Sequence, residues 1–250
     1  MLKILAARYH QGFRTVDFPD GEPVVPDRLR GLPKINSKNC AGNCNACVDV
    51  CPTDAIKISA DRKIHIDLGR CIFCGACARV CKTGAISFSN DYRLAVRKRE
   101  DLIVGDAGLK LAAPLEDKIF CDSLQLRQVS SGGCNGCEVD INVLTTVVFD
   151  LGRFGIKIVA SPRHSDGLLV TGPVTQNMKY ATIETYKAVP TPRIVVAIGN
   201  CAISGGIFRG MAEQNNGVSE ILPVDLFVPG CPPHPLTILD GLLRLLGKIK

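Results

Sequence analysis

Five short apolar runs punctuate the second half of the chain. They read LQLRQV (124–129), IKIVA (156–160), GLLVTG (167–172), RIVVAIG (193–199) and VDLFV (224–228). Their length and their Val, Ile and Leu content suit strands buried on both faces of a parallel sheet. Between them lie EVDINVLTTVVFDL (138–151) and MKYATIETYKAV (178–189), which read as helices. The last segment, PLTILDGLLRLLGKIK (235–250), opens on a proline suited to a first helical turn. Within it Asp240, Arg244 and Lys248 form a polar stripe at i, i+4 spacing amid Leu and Ile. Strands alternating with helices predict a doubly wound α/β domain over residues 122–250.

The first half is patterned differently. Residues 1–38 contain Pro19, Pro23, Pro26, Pro33 and an FPDG turn, and predict an irregular arm. CNACVDVCPTDAIKIS (44–59) matches CGACARVCKTGAISFS (74–89) at an offset of 30 residues, which marks a duplicated unit over 39–90. Such a short unit has little apolar core, so bound metal would carry much of its fold. Residues 91–121 read as a charged linker with Gly and Pro punctuation, ending on Cys121, which has no cysteine neighbour.

Composition changes this picture through one residue type. Among 250 residues there are 13 cysteines, most in two- and three-residue spacings. A secreted disulfide scaffold would be shorter and led by a signal peptide, and MLKILAARYHQG carries no small-residue cleavage pattern. No apolar run approaches the ~20 residues of a membrane-spanning helix. The expectation is a cytoplasmic protein whose thiolates hold metal. The formal charge of +6 would ordinarily suggest nucleic acid. Three four-iron clusters on thiolates would bring about −2 each and cancel it, so no nucleic-acid partner is expected.

The repeat holds two four-cysteine runs. The first is C-x3-C-x2-C-x3-C-P, formed by Cys40, Cys44, Cys47, Cys51 and Pro52. The second is C-x2-C-x2-C-x3-C, formed by Cys71, Cys74, Cys77 and Cys81. These resemble the two-cluster bacterial ferredoxins, in which the fourth cysteine of each run serves the other run's cluster. That resemblance implies a small α+β unit with one 4Fe-4S cluster on Cys40, Cys44, Cys47 and Cys81. It implies a second on Cys51, Cys71, Cys74 and Cys77. Two departures stand out: the extra residue before Cys44, and Lys82 in place of a proline. Cys-x-x-Cys pairs also build zinc ribbons, which usually separate two pairs by a longer gap.

Four further cysteines follow predicted strands. Cys134 and Cys137 lie in SSGGCNGCEVD, Cys201 in GNCAISGG and Cys231 in VPGCPPHP. Ligands of open parallel sheets gather at the carboxyl ends of strands, so all four converge on one edge. By spacing alone, a thioredoxin-like redox pair or a structural zinc is also open, while the lone cysteines at matching strand ends favour a four-cysteine site.

GGCNGCE, FGIKIVASPRHSDGLLVTGPVT, AIGNCAISGGIF and VDLFVPGCPPHP resemble the small subunit of energy-converting, membrane-associated nickel–iron hydrogenases (group 4), including formate hydrogenlyase. The family also contains the 20 kDa (B) subunit of complex I. The resemblance spans roughly residues 124–247 and implies a flavodoxin-like fold. It implies a proximal 4Fe-4S cluster on Cys134, Cys137, Cys201 and Cys231, making three 4Fe-4S clusters in all. It also implies a partner large subunit bearing the Ni–Fe site, with proton- or sodium-translocating membrane subunits. A low-potential donor or acceptor, such as a ferredoxin or a formate dehydrogenase, would complete the assembly. The complex I subunit has two adjacent cysteines at the first ligand position, where this chain has Cys134-Asn135-Gly136-Cys137.

In this family an acidic residue at Glu138 is a candidate for proton transfer; a carboxylate favoured by the helix dipole is the plainer reading. His164, with Arg163 and Asp166, and His234 are open between a role at the proximal site and ordinary loop positions. The expected function is electron relay, peripheral on the inner face of a cell membrane, with bond-making chemistry on the partner. A fused subunit of a complex I-like quinone or sulfur oxidoreductase keeps the same clusters with another terminal acceptor. A free-standing ferredoxin carrier with a zinc module is the alternative of another class.

Overall fold

A computed structural model describes residues 2–41, 44–116 and 118–249. The arm opens with helix α1 (Leu2–Gln11), none of whose residues is buried. The duplicated unit contains β1 (Pro33–Ile35), α2 (Ala46–Asp49), β2 (Ile56–Ile58), β3 (Ile64–Asp67), α3 (Ala76–Val80), β4 (Ile86–Phe88) and β5 (Ile103–Val104). β1 pairs antiparallel with β4, and β2, β3 and β5 form a second antiparallel sheet in that order. Its strands therefore reach beyond 39–90: β1 comes from the arm and β5 from the segment read as a linker.

The second half forms β6 (Leu124–Ser130), α4 (Gly136–Val143), β7 (Ile156–Ile158), β8 (Gly167–Thr171), α5 (Gln176–Ala188), β9 (Ile194–Ile198), α6 (Asn200–Ser204), β10 (Leu226–Val228) and α7 (Pro235–Leu245). The five strands are all parallel, in the order β7-β6-β8-β9-β10. Counted within the sheet this is 2-1-3-4-5, the flavodoxin-like order, whose switch point lies between β6 and β8. The helix read over 138–151 stops at Val143. Thr145 and Thr146 donate their hydroxyls to the Asn142 and Val143 carbonyls at 2.8 and 2.7 Å, and a turn replaces the next helical bonds.

Alternation along the strands divides the core in two. Leu168, Val170, Val195 and Ala197 face one side, where they join Ile64, Ile66, Leu102 and Val104 of the ferredoxin-like unit in one apolar cluster. Leu169, Ile194, Val196 and Ile198 face the other side, against α7. Segment 91–121 is no solvated tether. Tyr92, Leu94, Ala95, Val96 and Leu102 are buried. Val96 and Phe227 exchange backbone hydrogen bonds at 3.0 and 2.9 Å.

All eleven residues of α7 are buried, so its polar stripe is an internal ion pair. Arg244 Nε lies 2.8 Å from Asp240 Oδ2, while Lys248 falls beyond the helix end. Burial raises the Asp240 pKa and Arg244 pulls it back. Arg244→Met would leave that carboxyl unpaired and cost about 3–5 kcal/mol in urea unfolding. A raised folded-state pKa means that the native protein holds a proton the unfolded chain releases. The R244M defect should therefore shrink as pH falls through the raised Asp240 value toward about 4, and deepen as pH rises through it.

Candidate metal centres

The two halves of the ferredoxin-like unit repeat their sulfur contacts as well as their sequence. Cys47 and Cys77 sit buried in the single-turn helices α2 and α3. Beyond each helix, the Ala55 N–H points at Cys51 Sγ (3.3 Å) and the Ala85 N–H at Cys81 Sγ (3.2 Å). Thr53 Oγ1 lies 3.8 Å from Cys51 Sγ, and Thr83 Oγ1 lies 3.6 Å from Cys81 Sγ. The Phe73 N–H adds a contact to Cys71 Sγ at 3.4 Å.

The thiols fall into groups by mutual electrostatic influence. Burial pushes the Cys71 pKa up to about 12, with Cys77, Cys51 and Cys74 adding to the rise. Burial takes Cys77 to about 11, again with Cys51 and Cys74, and more weakly with Cys47. A small cavity of about 20 Å³ is lined by these four cysteines together with Pro52, Ile72 and Phe88. Cys47 is raised by burial and by Cys40 and Cys81. Burial also acts to raise Cys81, but hydrogen bonds from Thr83, Ala85 and Ile86 outweigh it and bring the pKa down. Cys44 is exposed, beside the undescribed residues 42 and 43.

The third group stands at the carboxyl edge of the parallel sheet. Cys134 and Cys137 follow β6, Cys201 opens α6 after β9, and Cys231 follows β10. Burial raises Cys137, then Glu138 and the other three cysteines add to it. Burial takes Cys201 to about 11, with Cys231 and Cys134 contributing. Cys231 is raised by burial and by Cys134. Gly199 makes room at the centre: its φ is +84°, and a Cβ there would meet Cys137 Sγ at 2.4 Å.

Glu138 lies in the first turn of α4, 5 % exposed. Its Oε1 accepts from Ser130 Oγ and from Thr171 Oγ1, both at 2.6 Å. Two hydroxyls at the ends of β6 and β8 thus aim the carboxylate beside Cys137. His234 is a helix cap: its Nδ1 accepts the Leu236 N–H at 3.2 Å, and burial lowers its pKa. Asp166 accepts the Gln125 N–H at 2.6 Å at the amino edge of the sheet. Exposed Arg163 and His164 are therefore two or three residues from the edge opposite the cysteines. Cys121 precedes β6 on that same side.

The donor sets fit iron–sulfur clusters. Each group offers thiols from several loops, and in the ferredoxin-like unit backbone N–H groups are aimed at sulfur, as such clusters require. The raised thiol pKa values mean that metal would enter with proton release. The threonine contacts were visible as CPTDAI and CKTGAI at the repeat offset. Asn200 and Ser204, which bond across the two halves of the chain, had no sequence signal beyond their nearness to Cys201.

Comparison with known proteins agrees with this division. The family model described as the NADH ubiquinone oxidoreductase 20 kDa subunit matches residues 134–245, and a 4Fe-4S dicluster domain model matches 39–85. The probable membrane-bound hydrogenase subunit mbhJ of Pyrococcus furiosus is 47% identical over 121 residues, covering 48% of this chain and 72% of that protein. Formate hydrogenlyase subunit 7 of Escherichia coli is 43% identical over 128 residues, covering 51% and 50%. A chain of the archaeal membrane-bound sulfane sulfur reductase structure superposes with a TM-score of 0.46 at 34% identity, covering 52% of this chain and 75% of that one. The chain belongs to the family of the NADH ubiquinone oxidoreductase 20 kDa subunit, joined in one polypeptide to a 4Fe-4S dicluster domain.

Proposed function

We propose that this chain is the electron-relay subunit of a membrane-bound hydrogenase-like complex. The carrying observation is the third cysteine group, set at the sheet edge beside a ferredoxin-like unit that shares the sheet's core. Cys40, Cys44, Cys47 and Cys81 would hold the first 4Fe-4S cluster. Cys51, Cys71, Cys74 and Cys77 would hold the second, and Cys134, Cys137, Cys201 and Cys231 the proximal one. Clusters of this kind exchange single electrons at potentials set by hydrogen bonds to sulfur and by solvent exposure.

The chain's own residues divide the remaining work. Backbone N–H groups and Thr53 and Thr83 stabilise charge on sulfur, and Gly199 keeps the proximal space open. Glu138 would hold a proton at Oε1, where Ser130 and Thr171 fix it, for exchange with a partner's site. The Ni–Fe centre would lie on a partner large subunit facing exposed Cys134 and Cys231. Among the described residues no helix is long and apolar enough to cross a membrane. Proton- or sodium-translocating membrane subunits would complete the assembly. A low-potential carrier would exchange electrons near exposed Cys44.

The deciding experiment is metal analysis with hydrogen uptake on the native complex, isolated anaerobically through this chain. About one nickel and about twelve irons, with viologen reduced by hydrogen, are expected. Iron without nickel or hydrogen activity would move the chain to a quinone- or sulfur-reducing assembly. About eight irons plus zinc would make it a carrier with a zinc module.

Four substitutions separate the sites. Gly199→Ala strains a left-handed position by about 1–3 kcal/mol and crowds Cys137. Its iron content should fall by about four per chain, with the ferredoxin signals retained. Thr83→Val removes a hydroxyl from Cys81 and should make the first cluster's midpoint more negative in an EPR-monitored titration; Thr53→Val should do the same to the second. Glu138→Gln should leave iron and midpoints unchanged while slowing hydrogen evolution.

A further inference from the structure

Helix α6 begins beside the proximal group and bonds to the ferredoxin-like unit. Asn200, 1 % exposed, donates its Nδ2 to the carbonyl of Cys71. Its Oδ1 accepts the Gly230 N–H at 2.7 Å, and its backbone N–H donates to the Gly230 carbonyl at 3.0 Å. Gly230 precedes Cys231, and Asn200 itself precedes Cys201. One neutral amide thus contacts a ligand residue of the second group and the chain beside two ligands of the third. One turn on, Ser204 Oγ donates to the Gly69 carbonyl at 2.7 Å. A Cβ on Gly69 would lie 2.8 Å from Ile203 Cγ2, so the loop and helix meet in direct contact.

We propose that Asn200 is the positioning residue that couples the second cluster to the proximal one. This rests on the three-cluster reading above. A carboxamide suits the task because it donates to one side and accepts from the other without burying net charge. Replacing it leaves the Cys71 carbonyl and the Gly230 N–H without partners in a closed junction, and that loosens the spacing of the two ligand loops. Ser204 grips the same ferredoxin loop but does not touch Gly230. It separates a role in bridging the sites from a role in docking the halves.

The test compares the native complex with Asn200→Leu, Asn200→Asp and Ser204→Ala. Leu keeps the volume and removes both side-chain bonds. Asp keeps the Gly230 contact and removes the donation to Cys71, so it serves where the Leu variant does not assemble. Three readouts are taken: iron content with cluster midpoints, amide exchange at Gly230, and freeze-quench EPR of transfer from the ferredoxin clusters to the proximal one. Asn200→Leu should speed exchange at Gly230, and both Asn200 variants should slow transfer about tenfold or more at full iron, as expected for an ångström-scale misplacement. Midpoints should hold in Asn200→Leu, and Ser204→Ala should transfer near the wild-type rate. Wild-type transfer rates in both Asn200 variants would overturn the inference, as would an equal slowing in Ser204→Ala. Fewer than three clusters in the wild type would overturn the relay reading itself, and this inference with it.

Discussion

The structure depends on one apolar cluster, which the ferredoxin-like unit shares with helix α6 and a face of the parallel sheet. Ile64, Ile66, Leu102 and Val104 of the unit, Ala202 and Ile203 of α6, and Leu168, Val170 and Val195 of the sheet belong to that one buried cluster. Strand alternation makes this possible, because every second residue of β8 and β9 faces that cluster while its neighbours face α7. Once that cluster forms, the loops that carry cysteine are no longer free to move relative to one another. Cys71 leads out of β3's turn against α6, and α6 leads out of β9. The relation between the ligand groups is thus a consequence of sheet packing, with short polar clamps refining it.

Burial sets the chemistry of the sulfurs in two directions. Cys71, Cys77 and Cys201 sit where burial raises their pKa to about 12, 11 and 11, so as free thiolates they are disfavoured. Only a bound cation repays that desolvation, which ties the stability of these loops to metal. Cys81 goes the other way, because hydrogen bonds from Thr83, Ala85 and Ile86 outweigh its burial. In the proposed first site it would be joined by exposed Cys44 and half-buried Cys40. The two halves of a sequence duplication therefore offer unequal environments: one wetter and richer in donors relative to its burial, the other enclosed. Hydrogen bonding and exposure are the levers that set cluster potential, so the duplication need not yield two equivalent electron sites.

Local patterns carried most of the architecture. The five runs became β6 to β10, because strands covered on both faces must be apolar at nearly every position. The cysteine groups were legible for a related reason: ligand spacing is a short-range property, and strand ends locate the isolated cysteines once the sheet is known. What escaped was long-range. Pro33–Ile35 and Ile103–Val104 looked like arm and linker, since three- and two-residue strands carry no periodicity. The pairing of Asp240 with Arg244 was legible as i, i+4, but its burial was not, since it depends on what covers α7. Asn200 is the clearest case: its partners lie 129 and 30 residues away.

The same packing explains why joining the two units in one chain differs from tethering them. A flexible linker raises local concentration but leaves orientation to chance encounters. Here residues 92–96 are mostly buried, and Val96 bonds on both its N–H and its carbonyl to Phe227, within the strand β10 that leads to Cys231. The connector is part of the fold it connects. Its entropy is lost once, at folding, and is not spent again each time the ligand loops must meet. Relay between fixed sites needs a constant gap more than a high encounter rate. A chain that folds its connector into the shared core obtains that constancy from the same apolar burial that holds the sheet together.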